Sequence, residues 1–264
     1  MDINNKRILL TGAYGGIGTQ LVQKLSALDC QLAISGRDQS RLSELAGRIS
    51  ITSKHPLIPL PADIGNPEQC ATLISQATDQ LEGMDILINL AGQQTFKPLS
   101  KLTSEEIEIQ IGVNLQAPIL LSRHALIQMQ KQGHGKIVNI GSTFGSIAFA
   151  NFSVYSATKF GLRGFSESLR RELAGTDIKI TYVAPRATKT HMNSDAVYEM
   201  AKETGMNMDS PEKVADEIIH AIKNDKANHF IGFPEKLFAR INAILPGFVD
   251  KALNKQNLLA QKYV

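Results

Sequence analysis

The sequence predicts a doubly wound α/β fold, a parallel sheet with helices on both faces. Three observations carry that expectation. Short apolar runs alternate with longer segments of helical periodicity from end to end, the pattern of successive βαβ units. A glycine-rich turn joins the first apolar run to the first helical segment, as phosphate-binding βα turns do. The length, 264 residues, lies near the roughly 200 to 250 that an α/β fold occupies as one unit, and 43% hydrophobic with 20% charged residues is enough apolar matter for a full core.

In chain order, strands are expected near residues 7–10, 31–35, 57–60, 85–90, 136–140, 179–183 and 229–232. Helical periodicity occupies 18–28, 41–49, 67–81, 103–130, 155–174 and 211–223. Thr103 followed by Glu106 makes a capping box, and Ser210-Pro211 supplies an N-cap and a first-turn proline. No low-complexity linker or internal repeat interrupts the chain, so residues 1–264 read as one domain. Residues 185–209, rich in Met and polar side chains and without clear periodicity, read as a substrate loop. Residues 235–264 read as an amphipathic extension.

Composition excludes several classes. A formal charge of +3, from 28 basic and 25 acidic residues scattered along the chain, is no nucleic-acid footprint. Cys30 and Cys70 form neither a C-x-x-C pair nor a metal-ligand spacing with His, so a reducing compartment fits. The polar N-terminus leads into an apolar run too short for a signal peptide. No run approaches the roughly 18 apolar residues of a membrane helix. A cytoplasmic location is therefore expected. The six histidines show no zinc-protease pattern. Ser156 and Lys159 satisfy S-x-x-K, but the S-D-N and K-T-G partners of that hydrolase motif do not occur.

Chemistry concentrates in two places. The run from Thr11 to Gly18 reads T-G-x-x-x-G-x-G through Gly12, Gly16 and Gly18, with Tyr14 and Ile17 between them. Its glycines allow a tight turn and let a pyrophosphate approach a helix N-terminus. At the end of the second strand, Ser35-Gly36-Arg37-Asp38 offers a guanidinium for a 2′-phosphate, favouring NADP(H) over NAD(H), although Asp38 follows directly and a solvated arginine is the alternative. Asp63, with Ile64 after it, either holds the adenine or caps a turn before Pro67. The second place is Tyr155 and Lys159, four apart on one helical face, with Ser142 thirteen residues before Tyr155. A phenol ionises near pH 10 and exchanges protons poorly at neutral pH unless a cation stabilises its anion. Hydroxyl donors beside a hydride carrier suit carbonyl chemistry.

With these motifs in order, the sequence resembles a classical short-chain dehydrogenase/reductase over nearly its whole length. The glycine turn, Asn89-Leu90-Ala91-Gly92, Asn114, Ser142 and Tyr155-x-x-x-Lys159 carry the resemblance. It implies a Rossmann-like sheet of order 3-2-1-4-5-6-7 and a tetrad. Tyr155 would be general acid in reduction and base in oxidation. Lys159 would bond the nicotinamide ribose and lower the Tyr155 pKa; Ser142 would orient the carbonyl; Asn114 would hold a water relaying protons to Lys159. Asn89 would support the cofactor pocket and the central strands, with Ala91 and Gly92 at the cofactor. The family's Pro-Gly after the sixth strand is here Pro185-Arg186, with Thr190 kept for the cofactor. Arg186 is then a surface residue or a cation near the cofactor or an acidic substrate group. The resemblance also implies a homodimer or homotetramer through the helices containing Asn114 and Tyr155.

The expected activity is NADP(H)-dependent interconversion of a carbonyl and an alcohol. An extended-type epimerase or dehydratase and a non-catalytic NADP-binding regulator are the alternatives. Phe144, Ile147, Phe149, Phe152, Met192 and Met200 lean towards an apolar or lipid-like carbonyl, although core packing would explain them too. In the extension, Leu237, Phe238, Ile241, Ile244 and Leu245 recur at helical spacing, with Lys236 and Arg240 near the opposite side. That face packs on its own domain or a sister subunit, shields a substrate, or rests on a membrane surface. Five basic against two acidic residues there are few for peripheral membrane attachment.

Overall fold

The structure, a computed structural model, describes residues 1–51, 53–233 and 235–264. Seven parallel strands, β1 (Arg7–Thr11), β2 (Gln31–Gly36), β3 (Ile58–Pro61), β4 (Ile86–Asn89), β5 (His134–Ile140), β6 (Asp177–Ala184) and β7 (Asn228–Phe230), form one sheet. Their order is β3-β2-β1-β4-β5-β6-β7. Side chains alternate across the sheet. Ile8 and Leu10 face a core under α1 (Gly16–Ser26), α2 (Gln39–Ile49) and α8 (Pro211–Lys223). Leu9 and Leu87 face a second core under α3 (Pro67–Leu81), α5 (Ala117–Gln132) and α6 (Ser153–Glu172).

At the N-terminal end of the strands, Asp85 is almost fully buried and receives Nε and Nη2 of Arg7 at 2.9 and 3.0 Å, with His134 Nε2 at 3.0 Å. Burial alone would raise this carboxyl; the Arg7 and His134 hydrogen bonds outweigh it and hold the group at about 2.

Three expectations need correction. The helix expected over residues 103–130 is α4 (Ser104–Ile111), then a π-helical turn at Gly112–Gln116, then α5. The capping box is present at Thr103 and Glu106, but the wider turn displaces the register by one residue and carries Asn114. Residues 185–209 are not all loop. They contain α7 (Asp195–Thr204), capped by the Ser194 side chain and ended by Gly205 at φ +69°. The extension is two helices, α9 (Glu235–Ile244) and α10 (Pro246–Ala260), meeting at an elbow before Pro246, where proline begins a helix but cannot continue one. Among the described residues no helix is long and apolar enough to cross a membrane.

Candidate active site

The sheet order reverses between β1 and β4, so the connections leave on opposite faces and a crevice opens beyond the strands' C-terminal ends. Thr11 Oγ1 accepts from the N–H groups of Leu90 and Ala91 at 3.2 and 3.3 Å, pinning the two strand ends beside it. A cavity of about 510 Å³ fills the crevice. Gly12, at φ +75°, turns the chain away from β1, and a Cβ there would stand 2.8 Å from Ala91 Cα. A Cβ on Gly16 would meet Thr190 Cγ2 at 2.6 Å, so the Thr190 side chain of the loop after β6 packs directly on the glycine. At this wall α1 begins with no side-chain cap and no acid in its first turn, an arrangement that favours an anion.

Arg37 and Arg41 lie on the wall at the end of β2. Tyr14 binds this corner together: its hydroxyl accepts from the N–H groups of Arg37 and Asp38 at 3.0 and 3.2 Å, and the Arg41 guanidinium lies 4.3 Å above its ring. The Asp38 carboxylate is engaged elsewhere. It caps α2 through the Arg41 N–H at 3.1 Å and the Ser40 hydroxyl at 2.6 Å. Asp63 and Ile64 line the cavity, and Asp63 Oδ1 also accepts from the Gly65 N–H at 3.0 Å. A glycine cradle, an uncapped helix start and two guanidiniums make a chemically coherent dinucleotide seat.

At the other end, β5 delivers Ser142 and the first turn of α6 delivers Tyr155, with Lys159 one turn on. All three line the cavity. Ser142 Oγ accepts from the Phe144 N–H at 3.1 Å. Burial pushes the Tyr155 phenol up to about 12, with a Ser142 hydrogen bond acting in the opposite direction. Burial alone brings Lys159 down to about 8, so the ammonium remains mostly charged at pH 7. Its Nζ donates to the Ile140 carbonyl at 3.1 Å and lies 5.6 Å from the centre of the Tyr155 ring.

Gly12, Tyr14, Gly16, Ile17, Gly18, Arg37, Asp63, Ile64, Ala91, Gly92, Pro185 and Thr190 all reach the cavity wall with Ser142, Tyr155 and Lys159. Two expected residues stand behind it. Asn89 is buried, its Nδ2 donating to Asn139 Oδ1 at 2.9 Å and Ser122 Oγ at 3.2 Å, so it ties β4 to β5 and α5 rather than touching a ligand. Asn114 grips the Gln93 backbone, accepting from its N–H at 2.9 Å and donating to its carbonyl at 2.7 Å. A Cβ on Gly92 would stand 3.1 Å from Asn114 Oδ1 and 3.7 Å from Lys159 Nζ, so the asparagine and the lysine flank the same backbone.

Arg186 is neither a loose surface residue nor a free cation. Its Nε and Nη2 pair with both oxygens of Asp209 at 2.8 and 2.9 Å, and Nη1 lies 3.3 Å from Glu235. It therefore bolts the loop after β6 to the start of α9. Three contributions were missed in the sequence. Arg41 stands four residues after Arg37, a spacing that could have revealed it. Phe96 stacks on Phe152 at 4.8 Å within an apolar cluster that includes Val197, Met200 and Tyr155. Tyr182, fully buried on β6, donates to the Ser142 carbonyl at 3.3 Å and positions that loop; no local pattern marks it.

A family model described as short chain dehydrogenase matches residues 6–201. The ketoacyl reductase HetN of Nostoc sp. is 32% identical over 256 residues, covering 94% of this chain and 88% of the relative. An uncharacterized oxidoreductase of Staphylococcus aureus is 28% identical, covering 85% of this chain and 94% of its own. Among solved structures, a short-chain dehydrogenase from Streptomyces avermitilis superposes with a TM-score of 0.80 at 24% identity, covering 97% of this chain and 98% of that one. One from Burkholderia cenocepacia, in complex with NADP, has a TM-score of 0.78 at 24% identity, covering 89% and 99%. The match over most of the chain, on a sheet of this order, makes the chain an oxidoreductase belonging to the short-chain dehydrogenase/reductase family.

Proposed function

We propose that this enzyme uses NADP(H) to interconvert a ketone or aldehyde and its alcohol, with Tyr155 as general acid and base. The carrying observation is that Ser142, Tyr155 and Lys159 line the same cavity as the Gly12–Gly18 turn. The dinucleotide, when bound, supplies or accepts hydride. The turn, with Ala91, Gly92, Pro185 and Thr190, would hold its phosphates and nicotinamide half, Asp63 and Ile64 its adenine. Arg37 and Arg41 would bind the 2′-phosphate, while the Asp38 oxygen is taken up in capping α2.

The remaining chemistry belongs to the chain. Ser142 donates a hydrogen bond to the carbonyl oxygen, and the Tyr155 hydroxyl passes its proton to that oxygen as the carbon is reduced. In oxidation the phenolate takes the proton back. The charged Lys159 beneath the ring favours that phenolate against the desolvation that opposes it. Asn114 is assigned to the proton relay towards Lys159.

Phe144, Phe152, Val197, Met200 and Met206 on the wall support an apolar carbonyl substrate, and the ketoacyl reductase name of the Nostoc relative supports a keto group on an acyl chain. NADP(H) preference implies reduction as the working direction. Homodimer or homotetramer assembly through α4, α5 and α6 belongs to the same reading, supported by exposed Ile109, Ile111, Ile127 and Phe160. A cytoplasmic location suits the buried free thiols of Cys30 and Cys70. Titration with NADPH and NADH, followed by ketones of increasing chain length, tests the reading. Selective NADPH binding with turnover of long-chain ketones is expected; tight binding with no turnover would favour a cofactor-sensing role, and no binding would overturn the proposal.

A further inference from the structure

We propose that the elbow between α9 and α10 docks on an anionic lipid bilayer. Between residues 233 and 248, Phe233 is 76% exposed, Ile244 77%, Leu245 59% and Phe248 60%, with Leu237 also open to solvent. Single exposed apolar side chains are ordinary, but a cluster of aromatic and aliphatic ones marks an interaction surface. Ile244, Leu245 and Phe248 flank Pro246 at the turn between the helices.

The basic residues are few over the whole extension, but on the two helices that form the corner they face almost no acid, and that balance selects the occupant. Lys236, Arg240, Lys251 and Lys255 are exposed on the two helices that meet there. Of the acids in this stretch Glu235 is tied to Arg186, leaving Asp250 alone against them among the described residues. An exposed apolar face with basic side chains on the rest of the helix complements anionic headgroups over acyl chains. A second copy would bring the same net basic corner to the other side of the contact, and the exposed apolar residues of α4 to α6 offer a separate face for self-association.

The corner is coupled to the cavity. Asn242 Nδ2 donates to the Ser146 carbonyl at 2.8 Å, four residues beyond Ser142, and Glu235 meets Arg186 beside the cavity. Docking would thus hold the substrate side of the enzyme at the surface in which an apolar carbonyl dissolves. That purpose rests on the proposed substrate class; the docking itself does not.

The test is sedimentation of the full chain with vesicles of phosphatidylcholine, and with vesicles of phosphatidylcholine mixed with phosphatidylglycerol. The wild type should pellet with the mixed vesicles and be released by high salt. Binding should fall about tenfold in Ile244→Ser/Phe248→Ser and in Lys236→Glu/Arg240→Glu, with the melting temperature unchanged as evidence of folding. No pelleting of the wild type, or equal pelleting of the variants, would overturn the proposal. So would a drop in oligomer mass in the serine variant, measured by light scattering, since a second copy would then cover the corner. Absence of carbonyl turnover leaves this readout intact and counts only against the catalytic reading.

Discussion

The two sides of the cavity are held by different physics. On the nucleotide side the turn has no room for side chains of its own: Gly12 lies against the Ala91 backbone and Gly16 against the Thr190 side chain at distances that admit no Cβ. On the substrate side, α9, α10 and the residues after them are attached through side chains. Arg186 joins Asp209 to Glu235, Asn242 reaches Ser146, and Lys262 pairs with Glu203 at 3.2 Å. The first arrangement tolerates few residues at each position. The second can change its lining without disturbing the hydride-transfer end, so substrate choice can vary while the cofactor seat stays constant.

The contrast can be broken most forcefully where the two sides meet. Replacing Tyr155 by Phe should lower turnover by about 10²- to 10⁴-fold, the usual weight of a general acid. NADPH affinity, measured by fluorescence titration, should be unchanged. A comparable loss of affinity would show that the tyrosine serves the seat rather than the chemistry.

Next in size is Arg186→Ala. It leaves Asp209, only 5% exposed, with Lys213 as its remaining ion-pair partner. The expected loss is about 2 to 3 kcal/mol, below the 3–5 of a fully orphaned buried charge because Lys213 stays. KM for the carbonyl should rise more than kcat falls, and NADPH affinity should hold. Equal losses on both sides would mean the cap and the seat are one unit.

Asp85 supplies a control at the far end of the sheet. Its carboxyl ionises at about 2 in the fold against an ordinary 3.8, so its stabilisation is present above pH 3.8 and lost as pH falls towards 2. The difference corresponds to about 2 kcal/mol. Asp85→Asn should remove that amount at pH 7 and flatten acid unfolding in this window, followed by circular dichroism, while Michaelis constants stay unchanged.

The smallest expected effect sharpens the nucleotide side. Arg37→Ala should weaken NADPH by about tenfold, one charge-assisted contact, and leave NADH nearly untouched; Arg41→Ala should do the same through the stacked guanidinium on Tyr14. Equal losses for the two dinucleotides would refute a 2′-phosphate contact.

Much of this molecule was legible before folding. The β1–α1 turn, the strand succession and the Ser142, Tyr155 and Lys159 spacing all concern neighbours along the chain or glycines whose value lies in lacking a side chain. Such features are written in residue type and interval. The π-turn at Gly112–Gln116 and α7 were not, because the periodicity of 103–130 conceals one extra residue and the apolar side of α7, Val197, Met200 and Ala201, is too short to stand out.

By itself, then, the sequence determined the fold class, the glycine turn and the Ser142, Tyr155 and Lys159 that line one cavity with it, since local geometry and close approach leave their mark on composition. Only the tertiary structure decided that Asn89 stands behind the wall, that Arg186 is held between Asp209 and Glu235, and that Ile244 and Phe248 remain uncovered. Each of those outcomes depends on which distant segments meet: Asn89 with Asn139, fifty residues on, and Arg186 with a carboxylate 49 residues away. The identity of an asparagine, an arginine or an isoleucine says what it can pair with or bury against; packing alone says what arrives beside it.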